Sequence, residues 1–265
     1  MNGTPEHYRH AVRRSFDRAA PTYDAAAHVQ REAMARLCAC GMAQSAPLSV
    51  RRIVDAGCGT GQALPWLGAH FPSAQLFALD FAPAMLDKAR AAAPHAHPIC
   101  ADIERLPFAD RSVDLYYSNL AAQWCEPARV LSEIARVLAP GGAAWVATLG
   151  RQTLCELHTA FASVDRFHHV MDFVDDEDWR TGARTARLDI VALRHELFPA
   201  LAPDLRTLLA DIKAIGAHTV GAGQRRQALG RRGWQTLLSA YETFRRPDGL
   251  LPATYDLILI ILKKP

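Results

Sequence analysis

The chain has 265 residues, half of them apolar, and a formal net charge of +3 with histidine neutral. That length supports one large α/β domain or two small ones with a sizeable core. The near-neutral charge excludes a broad phosphate-binding face, so a nucleic-acid partner is not expected and any basic surface must be local. The first forty residues carry an amphipathic helical pattern broken at Pro21. "RRIVD" (Arg51 to Asp55) reads as a short apolar strand ending at a glycine cluster. "QLFALD" (Gln75 to Asp80), "HPIC" (His97 to Cys100), "VDLYYSN" (Val113 to Asn119) and "AAWVATL" (Ala143 to Leu149) follow as strands two to five, the last entered through a turn at "LAPGG". Helical patterns such as "APAMLDKARAAA" and "PARVLSEIARVLA" separate them. This alternation predicts a parallel sheet with helices on both faces.

After Gly150 the rhythm changes. Arg151 to Arg180 has no clean period. "RLDIVALRHELF" reads as a strand, and "PDLRTLLADIKAIGA" as a helix with proline near its start and Gly216 near its end. A second helix is expected over Gln224 to Phe244, and "LLPATYDLILIILKK" as a closing strand. The expected organisation is a single domain: 1–45 a helical cover, 46–150 the binding core, 151–250 a cap with insertions, 251–265 the closing strand. Cys38, Cys40, Cys58, Cys100, Cys125 and Cys155 form no CxxC pair and no zinc-like spacing, so reduced thiols, a cytoplasmic setting and no bound metal are expected. No apolar h-region stands in the first twenty residues, and the run Leu257 to Leu262 is too short to span a bilayer.

The most specific signal is "IVDAGCGTG". A strand ends at Asp55, and Gly57, Gly59 and Gly61 follow at every second position. Glycines let a ligand approach the backbone at the carboxyl end of the first strand. The spacing is GxGxG, not the GxGxxG of dinucleotide binders, and the loop has no lysine for a phosphate. Asp80 ends the second strand, placed to accept from ribose hydroxyls.

Together, "VDAGCGTG", "ALDFAPAML", "ADIERLPFADRSVDLYYSN" and "RVLAPGG" resemble the motifs of the class I S-adenosylmethionine-dependent methyltransferases. The resemblance implies a Rossmann-like, mostly parallel seven-stranded sheet with helices on both faces and a small helical cap. It also implies S-adenosyl-L-methionine as cofactor. The loop of Gly57, Gly59 and Gly61 would hold the methionyl part, with Asp55 behind it. Asp80 would bind the ribose, Asp102 the adenine amino group, and Ile103 would pack on the ring. The backbone near Asn119 and Leu120 would face the methionyl amine.

Four further phrases, "SFDRAAPTYD", "SNLAAQW", "IKAIGAHTVGAG" and "LPATYDLIL", look like the malonyl-acyl-carrier-protein O-methyltransferases of biotin synthesis. Departures from that pattern are Thr219, where asparagine is expected, and Ala122 and Ala253, where leucine is. The resemblance implies methylation of the free carboxylate of a malonyl thioester on an acidic carrier protein. Such a nucleophile arrives ionised, so no catalytic base is assigned, and His10, His28, His168 and His169 are read as surface or packing residues. Tyr23, Trp124 and His218 are the substrate-orienting candidates. Other readings are methylation of another small carboxylic acid or a quinone, a nucleic-acid methyltransferase, which would lack its usual "PPY"-type motif here, and a scaffold without chemistry. A basic run, Arg225, Arg226, Arg231 and Arg232, extended by Arg245 and Arg246 against only Glu242, reads either as a solvated helix or as a docking face for the acidic partner.

Overall fold

A computed structural model describes residues 6–44, 50–167, 169–215 and 229–265. Three helices open the chain: α1 (Glu6–Ala19), α2 (Tyr23–Ala26) and α3 (His28–Gln44), with Pro21 in the first break. Then come β1 (Arg52–Ala56), α4 (Leu64–His70), β2 (Gln75–Asp80), α5 (Pro83–Ala92), β3 (His97–Cys100), β4 (Val113–Asn119), a 3-10 turn (Ala122–Trp124), α6 (Pro127–Val137) and β5 (Leu138–Leu149). Helices α4, α5 and α6 each carry proline in their first turn, where the missing N–H costs nothing. After Gly150 follow α7 (Cys155–Ala162), α8 (Asp176–Thr185), β6 (Asp189–Ala202), α9 (Leu205–Ala214), α10 (Arg231–Glu242) and β7 (Leu251–Lys263).

The seven strands form one sheet in the order β3-β2-β1-β4-β5-β7-β6. The first five are parallel; β7 runs antiparallel between β5 and β6. This is the expected mostly parallel α/β sheet. The strand order reverses at β1, whose neighbours are β2 and β4, and crevices in open α/β sheets form at such a switch point. Alternate residues of the central strands feed two apolar layers. Ile53, Leu115 and Trp145 face α3 and α4, while Val54, Tyr116 and Val146 face α6 and α8. Such strands are buried on both faces and read as continuous apolar runs.

Two expectations shift. "LAPGG" is not a free turn but the start of β5: Leu138 pairs with Val113, and Gly141 N–H donates to the Lys264 carbonyl at 2.9 Å. The residues from Arg151 to Arg180 hold two helices. One of them, α8, starts with a reciprocal capping box between Asp175 and Asp178 and buries only Trp179, Gly182 and Ala183. Helix α9 abuts the opening segment, where Thr22 Oγ1 donates to the Ala214 carbonyl at 3.4 Å. Of the helix expected over Gln224 to Phe244, the described residues hold α10, Arg231–Glu242, and residues 224–228 lie outside them.

Candidate cofactor and substrate site

The loop after β1 is bound to the end of β2. The N–H groups of Gly57 and Cys58 both donate to the Leu79 carbonyl, at 2.7 and 2.9 Å. Asp80 Oδ2 accepts from Gly59 N–H at 2.9 Å and Oδ1 from Ala82 N–H at 2.8 Å. Burial raises this carboxyl to about 6, against the pull of those backbone donors. The three glycines divide the work. All have positive φ. A Cβ on Gly57 would lie 2.2 Å from Ala121 Cβ, and one on Gly61 would lie 2.9 Å from Ala89 Cα of α5. Those two positions serve close packing, and Gly61 does not line the cleft. At Gly59 the nearest neighbour of an added Cβ is the Tyr23 ring at 4.0 Å, so the space above it belongs to the cleft.

That cleft, counted with the part open to solvent, measures about 720 Å³. Gly57, Gly59, Asp80, Asp102, Ile103, Asn119, Leu120, Tyr23 and Trp124 all line it, from segments spread over the first half of the chain. A smaller hollow, about 350 Å³ with its part open to solvent, shares Tyr23, Gly57, Gly59 and Asn119 with the cleft and is also lined by Asp55. Asp55 is 2% exposed, and its Oδ2 has no hydrogen-bond partner. Burial, and then the neighbouring Asp80 charge, push it up to about 8. Tyr23 stands where the two spaces meet, its phenol pushed well up by burial and by Asp80 and Asp24.

Other candidate residues lie elsewhere. His218, Arg225, Arg226 and His168 fall outside the described residues. Arg231 and Arg232 are exposed on the first turn of α10. Arg245 and Arg246 do not extend a free basic face: Arg245 is bonded to Glu242 and to the carbonyls of Pro203 and Gly249, and Arg246 pairs with Asp248 at 2.9 Å. His10 lies 3.6 Å from Glu6, and His169 stacks on Phe161 and bonds Asp165 at 2.8 Å. Among the described residues no His/Cys/Asp/Glu group could hold a metal, and no helix is long and apolar enough to cross a membrane.

Several site residues were missed by motif reading. Arg9 Nη1 donates to Asp102 Oδ2 at 2.8 Å, beside Glu104 at 3.3 Å. With Glu104 N–H on Oδ1 at 2.8 Å, Asp102 uses about two of its four acceptor positions. Phe16 packs edge-on to Trp124, centroids 5.6 Å apart at 88°, and against Phe81. Asp24 accepts from Thr60 Oγ1 at 2.6 Å and Gln62 Nε2 at 2.8 Å, and Asp17 from Ala84 N–H at 3.2 Å. Gln30 lines the smaller hollow. The one sequence signal was the spacing of Arg9, Val12 and Phe16, which share a face of α1 and all line the cleft.

These features fit S-adenosylmethionine. A ribose diol would find an acceptor in the buried Asp80, an ammonium would find one in the partnerless Asp55 oxygen, and Gly59 leaves room for a ligand. Residues 54–146 match the model of the "Methyltransferase domain" family. Over 253 residues the chain is 44% identical to a malonyl-[acyl-carrier protein] O-methyltransferase of Dechloromonas aromatica, covering 96% of this chain and 94% of that one. It is 42% identical to the Methylovorus sp. protein of the same name, covering 93% and 86%. It is 40% identical to part of the biotin biosynthesis bifunctional protein BioHC of Cellvibrio japonicus, covering 96% of this chain and 50% of that one. Among solved structures, the geranyl diphosphate C-methyltransferase of Streptomyces coelicolor, in complex with S-adenosyl-L-homocysteine, superposes with TM-score 0.54 at 16% identity, covering 89% and 79%. The [4+2]-cyclase SpnF gives 0.55 at 20%, covering 87% and 81%; likeness at these identities speaks for the fold alone. The chain therefore belongs to the malonyl-[acyl-carrier protein] O-methyltransferase family, enzymes of the class I S-adenosylmethionine-dependent fold.

Proposed function

We propose that the enzyme transfers a methyl group from S-adenosylmethionine to the free carboxylate of a malonyl group on acyl-carrier protein, giving the methyl ester that primes biotin synthesis. The observation that carries this reading is the 44% identity across 96% of the chain, because it spans the cap as well as the glycine loop. Bound S-adenosylmethionine supplies an electrophilic methyl on a sulfonium. The chain's own residues would hold it: Asp80 at the ribose, Ile103 against the adenine, Asp102 toward its amino group, and Asp55, Asn119 and Leu120 at the methionyl end.

A malonyl carboxylate titrates near ~4, as Asp does, so it is ionised at neutral pH and needs no base. The chain has to align it and exclude water. Alignment alone contributes roughly 7–11 kcal/mol in favourable cases. Phe16, Trp124 and Phe81 supply apolar walls. The Tyr23 phenol, held protonated by burial and by Asp80 and Asp24, can donate to the incoming carboxylate. Trp124 and His218 complete the orienting candidates.

Arg231 and Arg232 sit on the first turn of α10, where the helix dipole disfavours positive charge. Helix stability does not explain them; docking of an acidic carrier protein there does, and Arg225 and Arg226 are docking candidates by sequence alone. In this reading the protein is cytoplasmic, takes no nucleic acid, and works as one domain with cover, core, cap and closing strand.

Purified enzyme, S-adenosylmethionine and malonyl-carrier protein should give a carrier protein heavier by one methyl group in mass spectrometry. No gain, with free malonate, a quinone or nucleic acid methylated instead, refutes the assignment.

A further inference from the structure

Among the buried side-chain oxygens left without a partner, Asp55 Oδ2, Asn119 Oδ1, Gln30 Oε1 and the Tyr117 hydroxyl line the same hollow, the first three as acceptors. The orientation of the Asn119 amide is fixed. Its nitrogen donates at 2.9 Å to the main-chain carbonyl of Gln30, an atom that can only accept, so its oxygen is the end left over. The same bond ties α3 to the end of β4 and holds Gln30 beside the glycine loop. Buried polar atoms are paired in native proteins, so three partnerless acceptors around one space call for a ligand that brings donors. A carboxylate ligand would find no donor in the Asp55 and Asn119 oxygens. An ammonium brings three N–H donors and a charge that matches Asp55.

We propose that Gln30, with the Asn119 side chain, selects the α-ammonium of the methionyl end of the cofactor. This rests on the S-adenosylmethionine reading above and extends it to a residue of the helical cover. The core strands then recognise the nucleoside and part of the amino acid, and Gln30 adds a contact from the cover to the amine. A ligand lacking the amine gains nothing from Gln30.

The test is calorimetry on the full chain with three ligands: S-adenosylhomocysteine, its desamino analogue, and 5′-methylthioadenosine. Gln30→Met keeps the side-chain length and removes the acceptor. It should weaken S-adenosylhomocysteine about tenfold, as loss of one charge-assisted hydrogen bond does, and leave the other two ligands at wild-type affinity. Equal weakening of all three would make Gln30 a structural residue and overturn the proposal, as would unchanged binding of S-adenosylhomocysteine. Weakening of the desamino analogue together with S-adenosylhomocysteine, with 5′-methylthioadenosine spared, would assign Gln30 to the carboxylate and also overturn it. Unchanged binding of 5′-methylthioadenosine doubles as the check that the variant is folded. Wild-type protein that binds none of the three would instead refute the cofactor assignment.

Discussion

Two buried carboxylates at the same end of the sheet behave differently. Asp80, closing β2, is 6% exposed and is held by two backbone N–H groups, with the rest of its acceptor capacity turned to the cleft. Asp256, on β7, is 3% exposed and is enclosed by protein: His195 Nδ1 lies 3.0 Å from Oδ1, and Gln152 N–H donates to Oδ2 at 3.2 Å. Its own N–H is accepted by Thr153 Oγ1 at 3.1 Å, and its carbonyl accepts from Gly150 at 2.7 Å. In the parallel half of the sheet polar groups are fixed by backbone and kept open to a ligand. In the antiparallel half they clamp the chain after β5 onto β7 and β6. The same residue type is therefore open to a ligand in one region and locked into the fold in the other.

The contrast can be broken by experiment. Asp80→Ala should lower cofactor affinity by roughly 100-fold or more, from the lost charge-assisted bonds to ribose, as read by calorimetry. Asp256→Ala should do the reverse: about 2–4 kcal/mol of stability lost, as for other broken buried polar networks, with cofactor affinity retained in whatever fraction stays folded. If both variants lose affinity equally, the division between regions is wrong.

A subtler test uses pH. Asp80 and Asp55 have folded-state values of about 6 and about 8, above the ordinary carboxyl value. Between the unfolded and folded values the folded chain holds protons that the unfolded chain has released. Their contribution to stability is therefore full below the ordinary carboxyl range and is lost as pH rises, through about 6 for Asp80 and about 8 for Asp55. Asp55→Asn should flatten the upper part of that slope in denaturant titrations across pH. Cofactor binding near pH 7 should release protons, as a cation beside Asp55 lowers its value; calorimetry in buffers of different ionisation enthalpy would detect this. The smallest effect is expected at the surface. Arg231→Glu with Arg232→Glu should lower kcat/KM for carrier-bound substrate severalfold and flatten its salt dependence, with cofactor affinity unchanged.

The parallel half was legible because its signals are local. A strand, three glycines and an aspartate about twenty residues on specify a crevice without long-range information. Even there the pattern treats Gly61 as a ligand contact, whereas its missing Cβ makes room for Ala89. What stayed hidden depends on contacts distant in sequence. Arg9 meets Asp102, Asp24 meets Thr60, and Gln30 meets Asn119 only once the cover has folded over the core. The antiparallel strands could be recognised one by one, yet nothing in their order says that β7 enters between β5 and β6.

That insertion has a consequence for synthesis. β5 ends at Leu149 and its neighbour on that side, β7, begins at Leu251. A ribosome adding 5–20 residues per second needs roughly 5–20 s to make the intervening chain. Throughout that interval the β5 edge, with the core residues Trp145 and Val146, has no strand to pair with, and β6 emerges with no partner at all. An open apolar strand edge is a template for wrong pairing. The nascent enzyme is thus most exposed to aggregation after its cofactor half has been made, and chaperone demand should concentrate in that window.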